Sequence, residues 1–182
     1  TNTSNPSVML AAGLVARTGT EEIKVIGVRR VIASRMTDAK RNIPHFAYVE
    51  EVDVTEIEAL RVQMNARWAA QRGKLTLLPL LMRAVVLALR SYPMMSARYD
   101  DEANTLTTYD AAHIGIAAQT ESGLMVPVVR HAESRDPWSS AAEIARLAEA
   151  ARSGKATRDE LTGSTITITS LGALGGIVTT PV

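Results

Sequence analysis

From Leu75 to Leu89 the chain is apolar on nearly every side that a helix would present, and this run limits what the rest can be. An amphipathic helix needs one covered face, whereas LLPLLMRAVVLALRSY needs cover all round, so it predicts a helix sandwiched between layers. The run carries Pro79 and Arg83 and falls short of the roughly 20 apolar residues that cross a bilayer, which predicts a buried helix and no membrane span. Thr76 is placed to cap its start, and Pro93 to close it.

Around that helix the elements come in mixed order. Residues 1–22 lack periodicity and are rich in small and polar residues, which predicts a linker or an N-terminal arm, with residues 23–182 expected to form the core domain. Arg29–Arg41 places Val31, Ile32, Met36 and Ala39 roughly on one helical face and stops before Pro44. His45–Val54 (HFAYVEEVDV) is strand-like. Thr55-x-x-Glu58 is a capping box for a helix striped by Ile57, Leu60, Met64 and Trp68 and stopped at Gly73. Short strands are expected at Ala97–Tyr99 and Thr105–Tyr109, about the polar turn Asp100–Asn104. A second pair, His113–Gln119 and Leu124–Arg130, flanks Thr120–Gly123, and Pro127 predicts an edge strand or a bulge there. Asp136-Pro137 opens an Ala-rich helix to about Arg152, with proline at the tolerated first position. Thr157-x-x-Glu160 is another capping box before a short helix ending at Gly163. Ser164–Ser170 then alternates as a strand and runs into LGALGG. This order does not alternate strand and helix, which predicts an α+β fold with a mixed sheet.

Composition mainly excludes. The chain has 182 residues, net charge +1, no cysteine and one phenylalanine. Near-neutrality gives no reason to expect nucleic acid or a membrane surface as partner, and the lack of cysteine removes disulfides, thiolate metal sites and cysteine nucleophiles. VMLAAGLV at residues 8–15 lacks the preceding positive charge of a signal peptide. His45, His113 and His131 have no metal-ligand spacing, and the plain expectation is two satisfied core or edge histidines and a solvated one. Gly172, Gly175 and Gly176 follow a strand, but no helix starts behind them, so a tight bend is expected and not a phosphate cradle.

A constellation along the whole chain says more: RRVIASRM (29–36), IPHFAYVEEVDVTEIEALR (43–61), KLTLLPLLMRAV (74–85), HIGIAAQTESGLMVPVV (113–129) and ITITSLGALGG (166–176). In order and spacing these segments resemble the core domain of dihydrolipoyl acyltransferases, the core components of 2-oxo acid dehydrogenase complexes, over about Val25 to Val182. The resemblance implies a chloramphenicol-acetyltransferase-like fold, a homotrimer with active sites between subunits, and assembly into a larger cubic or icosahedral core. It implies decarboxylase and dihydrolipoyl dehydrogenase partners, and a bacterial cytoplasmic location in preference to a mitochondrial matrix. The implied reaction passes an acyl group from dihydrolipoamide, carried on a separate domain, to CoA, with no metal. The wording around GALGGIVTTPV and the hairpin at 97–109 leans towards the branched-chain type over the acetyl and succinyl ones.

In that family a histidine of a His-x-x-x-Asp-Gly motif deprotonates the thiol, and a hydroxyl on the strand before the glycine turn donates to the oxyanion. The hydroxyl position matches Thr169, with Ser170 as the fallback; the plain alternative is a β-branched residue in an alternating strand. Arg61 matches a CoA-contacting position, the alternative being a solvated residue of an amphipathic helix. Arg30 and Arg35 belong to the first segment, with a structural or interfacial role. The 182 residues depart from the pattern in three ways: they hold no His-x-x-x-Asp-Gly, they carry Ser96 where Asn is usual, and they include no lipoyl or subunit-binding domain before the core. The 182 residues by themselves are therefore expected to be inactive, as a C-terminally incomplete core. Two other readings stay open, a non-catalytic trimeric scaffold and a free chloramphenicol-acetyltransferase-like enzyme acting on a small hydroxyl compound.

Overall fold

A computed structural model of the chain describes residues 22–120 and 123–170, and the chain divides into two units, Thr1–Glu51 with Leu171–Val182, and Val52–Ser170. The expected arm at 1–22 and the glycine turn of Gly172, Gly175 and Gly176 lie almost wholly outside the described residues.

In the first unit, helix α1 (Gly27–Asn42) realises the amphipathic segment and ends with Lys40 and Arg41, cations suited to the negative end of the helix dipole. Ile32, Met36 and Ala39 are half-covered, while Val31, Arg30 and Arg35 are exposed. The strand expected at His45–Val54 does not form: no strand is found there among the described residues. A strand exists through the hydrogen bonds of a neighbour, and the described residues offer none. Phe46 and Tyr48 are accordingly 86% and 80% exposed.

The second unit begins with α2 (Thr55–Arg72). Its expected Thr55–Glu58 capping box is not made. Asp53 reaches the first turn before it, accepting from the Thr55 amide at 2.9 Å, and Glu58 turns instead to Arg61 at 2.8 Å. Asn65 exchanges two bonds with the backbone of Leu75, accepting from its amide at 2.8 Å and donating to its carbonyl at 2.9 Å. That pair fixes the entry to α3 (Leu77–Ser91), where Thr76 makes no side-chain cap. Helix α3 buries Pro79, Leu80, Met82 and Val86. The cover on all sides that its composition predicts is not found: Leu81 and Leu87 remain 36% and 48% exposed, because the described elements cover only one side. Ser96 is buried at the end of the following tight turn and donates to the Pro93 carbonyl, so the hydroxyl that replaces the usual amide is satisfied locally.

Strands β1 (Arg98–Asp100) and β2 (Thr105–Thr107) make the expected hairpin, with Tyr99 opposite Leu106. Next come β3 (Ile114–Ile116), β4 (Ala118–Thr120), β5 (Gly123–Met125) and β6 (Val128–Val129). Pairing of β3 with β6 and of β4 with β5 is in one phase: Ile114 faces Val129, and Ala118 faces Met125. No residue is inserted, so there is no bulge at Pro127. Its carbonyl accepts from the Ile116 amide at 2.8 Å, but proline has no N–H to return the bond, and the ladder breaks there. Helix α4 (Pro137–Arg152) starts on Asp136, whose carboxylate accepts from the amides of Trp138 and Ser139. The same carboxylate meets Arg72 from the end of α2 at 2.8 Å, and that guanidinium lies 4.1 Å over the Trp138 ring. The Thr157–Glu160 capping box forms as expected, amide to side chain in both directions.

Strand β7 (Ile166–Ile168) runs parallel to β3, giving the three-stranded mixed sheet β6-β3-β7. Ile114, Ile116 and Val129 of this sheet pack with Met82 and Val86 of α3 and Leu147 of α4 to form the core. Gly115 sits at the tightest point. A Cβ built on it would stand 2.8 Å from Thr167 Oγ1 and 2.9 Å from Val126 Cγ1. Substituting Gly115→Ala is expected to lower stability by about 1–3 kcal/mol through overpacking, read as a shifted denaturation midpoint. An unchanged midpoint would mean that β7 lies further from β3.

Candidate functional site

Thr169 and Ser170 directly follow β7, and both are exposed. Along the strand Ile166 and Ile168 are half-buried against the core while Thr167 is exposed, the alternation expected of a sheet edge. Among the described residues the Thr169 hydroxyl makes no hydrogen bond, so it is available to donate. Ser170 borders a cleft of about 300 Å³ with Ile116, Pro127, Leu147, Gln119 and Arg152. Thr169 and Arg61 do not line it.

The segment that leads into β7 is held by arginines from three other elements. Arg146 of α4 bridges Glu143 and Glu160, at 2.9 and 2.7 Å. Arg130, just after β6, donates to the carbonyls of Asp159 and Thr162 at 2.8 and 3.2 Å. Arg98 of β1 donates to the Ser164 carbonyl at 2.6 Å. Thr165 closes the set: its amide donates to the His113 carbonyl at 2.7 Å, and its Oγ1 accepts from the His113 amide at 3.1 Å.

Arg61 is half-buried on α2. Its guanidinium is held by Glu58 and reaches the Leu75 carbonyl at 3.3 Å. The hydrogen bond to Glu58 pushes its pKa further up, so the positive charge is secure. A phosphate approaching Arg61 would meet a guanidinium already oriented by these two partners.

The histidines do not form one centre. His45 lies on the extended segment and donates from Nδ1 to the Ile43 carbonyl at 2.7 Å. His113 and His131 meet edge to face with ring centroids 4.7 Å apart. The His131 amide donates to His113 Nδ1 at 3.1 Å, which leaves that nitrogen unprotonated and the ring proton on Nε2. His131, expected to be merely solvated, donates to Glu133 at 3.0 Å, and Glu133 also accepts from the Ala112 amide at 2.9 Å. Burial lowers the pKa of His113, and the neighbouring His131 and Arg130 add to this. Burial also opposes ionisation of Glu133, but its amide and His131 hydrogen bonds outweigh that and hold its carboxyl below the usual range. Among the described residues no group of three or more His, Asp or Glu side chains is placed to hold a metal, and no helix is long and apolar enough to cross a membrane. Arg130, Glu133 and Thr165 were not singled out by sequence: each acts on a residue far along the chain, and no local motif marks it.

Residues 17–182 match the family of 2-oxoacid dehydrogenases acyltransferase (catalytic domain). The chain is 64% identical over 172 residues to the lipoamide acyltransferase component of the branched-chain alpha-keto acid dehydrogenase complex of Pseudomonas aeruginosa, covering 94% of this chain and 40% of that protein. It thus spans about two-fifths of that relative's length. Among solved structures it is similar to dihydrolipoamide acetyltransferase of Azotobacter vinelandii, studied for a serine, a histidine and an asparagine in its catalytic mechanism. The TM-score is 0.82 at 37% identity, over 87% of this chain and 65% of that one. It is equally similar, with a TM-score of 0.82 at 36% identity over 89% of this chain and 67% of that one, to the cubic core of the pyruvate dehydrogenase multienzyme complex. The expected α+β fold, the chloramphenicol-acetyltransferase-like core, is borne out.

The His113 geometry sets a pH dependence. A histidine whose folded pKa is lowered is protonated first in the unfolded chain, so stability is full above about pH 6.5 and falls as the pH drops below it. The loss levels off below the folded pKa. Glu133 acts only at lower pH, since its stabilising charge persists until the pH falls through its depressed pKa. Thermal midpoints measured from pH 7.5 down to about 5.5 are expected to fall less in His113→Asn, which keeps an acceptor without the titration. Parallel profiles would show that the ring does not carry the effect.

Proposed function

The chain belongs to the 2-oxoacid dehydrogenase acyltransferase family, catalytic domain, and from that premise we propose that it forms the hydroxyl side of an acyl-transfer site that uses CoA and acyl-dihydrolipoamide. In this reading the CoA thiolate attacks the thioester carbonyl, and the Thr169 O–H donates to the oxygen as it becomes negative. Collapse then breaks the bond to the dihydrolipoyl sulfur, which takes up the proton. The histidine of the His-x-x-x-Asp-Gly motif, which would remove the thiol proton, is not among these 182 residues. Ser170 is the alternative donor, and Arg61 is assigned to a CoA phosphate.

The observation that carries the reading is the family match over 17–182, together with the position of Thr169: an exposed hydroxyl directly after a strand whose entry is tied at several points. A donor aimed at charge that develops only in the transition state speeds the step without tightening substrate binding. The branched-chain acyl class is favoured, supported by the 64% identical relative. We extend the proposal to a homotrimer within a larger core that works with decarboxylase and dihydrolipoyl dehydrogenase partners in a bacterial cytoplasm. Support comes from the similar cubic-core structure and from the exposed apolar residues of the second unit, among them Leu81, Leu87 and Met95, which a subunit contact would cover.

Steady-state transfer by the complete gene product tests this. Thr169→Ala is expected to lower kcat about 100- to 1,000-fold with little change in KM, and Ser170→Ala to leave kcat near wild type. The reverse pattern would move the role to Ser170, and no transfer by the wild type would favour the scaffold reading. Arg61→Ala is expected to raise KM for CoA by about tenfold or more, the loss of a charge-assisted hydrogen bond, with kcat unchanged. A lowered thermal midpoint with unchanged KM would make Arg61 a structural residue.

A further inference from the structure

We propose that Thr165 and Arg130 are positioning residues for the transfer: they set the register of β7 on β3 and thereby the place of the Thr169 hydroxyl. This rests on the reading of Thr169 as the oxyanion donor. Strand β7 is three residues long and, among the described residues, pairs only with β3. Pairing with β3 alone leaves room for a slip, and a slip of one residue moves every side chain by about 3.3 Å and turns it to the other face, taking Ile166 and Ile168 off the core. Such a slip would put Ile168 or Ser170 where Thr169 stands.

The ladder bonds of a parallel pair do not forbid that slip, because each rung resembles the next. The side-chain contacts do. Thr165 takes the His113 peptide at both ends, amide to carbonyl at 2.7 Å and His113 amide to hydroxyl at 3.1 Å. Only a hydroxyl in that position completes the pair. Two residues on, Thr167 Oγ1 lies in the space left by the missing side chain of Gly115; a slipped strand would bring Ile166 or Ile168 to that gap. Arg130 works one turn earlier. It binds the Asp159 and Thr162 carbonyls and lies against Gly163, whose positive φ of 80° sets the direction in which the chain enters the strand. The stretch from Asp159 to Thr167 is thus tied to the sheet at both its turn and its first rung, and Thr169 follows two residues later.

A double-mutant cycle in the complete enzyme separates this role from general support of the fold. Thr165→Val is expected to lower kcat about 10- to 100-fold, the scale of a misplaced reacting group, while KM for CoA and for acyl-dihydrolipoamide stays put. Thr165→Ser, which keeps the hydroxyl, should restore kcat. In a Thr169→Ala background Thr165→Val should lower kcat no further, because its effect passes through the hydroxyl already removed. If Thr165→Val does not assemble, Arg130→Gln takes its place in the same cycle, with the same expected outcome. Full kcat in these variants, or losses that multiply with that of Thr169→Ala, would overturn the positioning role alone. Wild-type kcat in Thr169→Ala would overturn the premise as well, so the two failures read differently.

Discussion

Ile114, Gly115 and Ile116 hold the second unit together. The two isoleucines enter the core with Met82, Val86 and Leu147, which anchors the sheet to α3 and α4. The glycine between them leaves no side chain where Thr167 must lie. Strand β3 is also the member of its sheet with a neighbour on each side, antiparallel β6 and parallel β7. Burial fixes β3, β3 fixes β7, and β7 delivers Thr169. The proposed chemistry is therefore built on a packing constraint in β3, the strand directly beside β7.

The local grammar of the chain was legible. Helix α4 begins on Asp136-Pro137 as its sequence requires, the β1–β2 hairpin turns at Asp100–Asn104, and the Thr157–Glu160 box closes on itself. The failures have a common physical cause, which is competition from or dependence on groups elsewhere. Asp53 captured the amide that the Thr55 box was expected to use. Tyr48 and Val49 favour a strand but found no ladder among the described residues, and the apolar face of α3 at Leu81 and Leu87 has no cover there. The same limit applied to the site. Thr169 stands out through resemblance, whereas Thr165 and Arg130 gain their meaning from partners 52 and about 30 residues away in the chain, which periodicity does not encode.

Charge is used sparingly and mostly to tie loops to helices. Arg146 between Glu143 and Glu160, and Arg72 between Asp136 and Trp138, each join two elements. Exposed pairs of this kind contribute little individually, often under about 1 kcal/mol. Their value here is geometric: Arg146 restricts where the segment before β7 can go, and Arg72 ties the end of α2 to the start of α4. His113 has a related part. Its backbone receives Thr165 while its ring accepts from His131, so a single residue joins the start of β7 to the end of β6.

With β7 held in this way, the proposed place of the Thr169 hydroxyl is at the oxygen of the reacting carbonyl. A crystal structure of the complete enzyme with CoA and an analogue of the tetrahedral intermediate measures that directly. The expected result is Thr169 Oγ1 within about 2.7–3.1 Å of the oxyanion mimic, with β7 paired to β3 in the present register. An oxyanion bound by another donor, with Thr169 turned away from it, would remove Thr169 from the reaction.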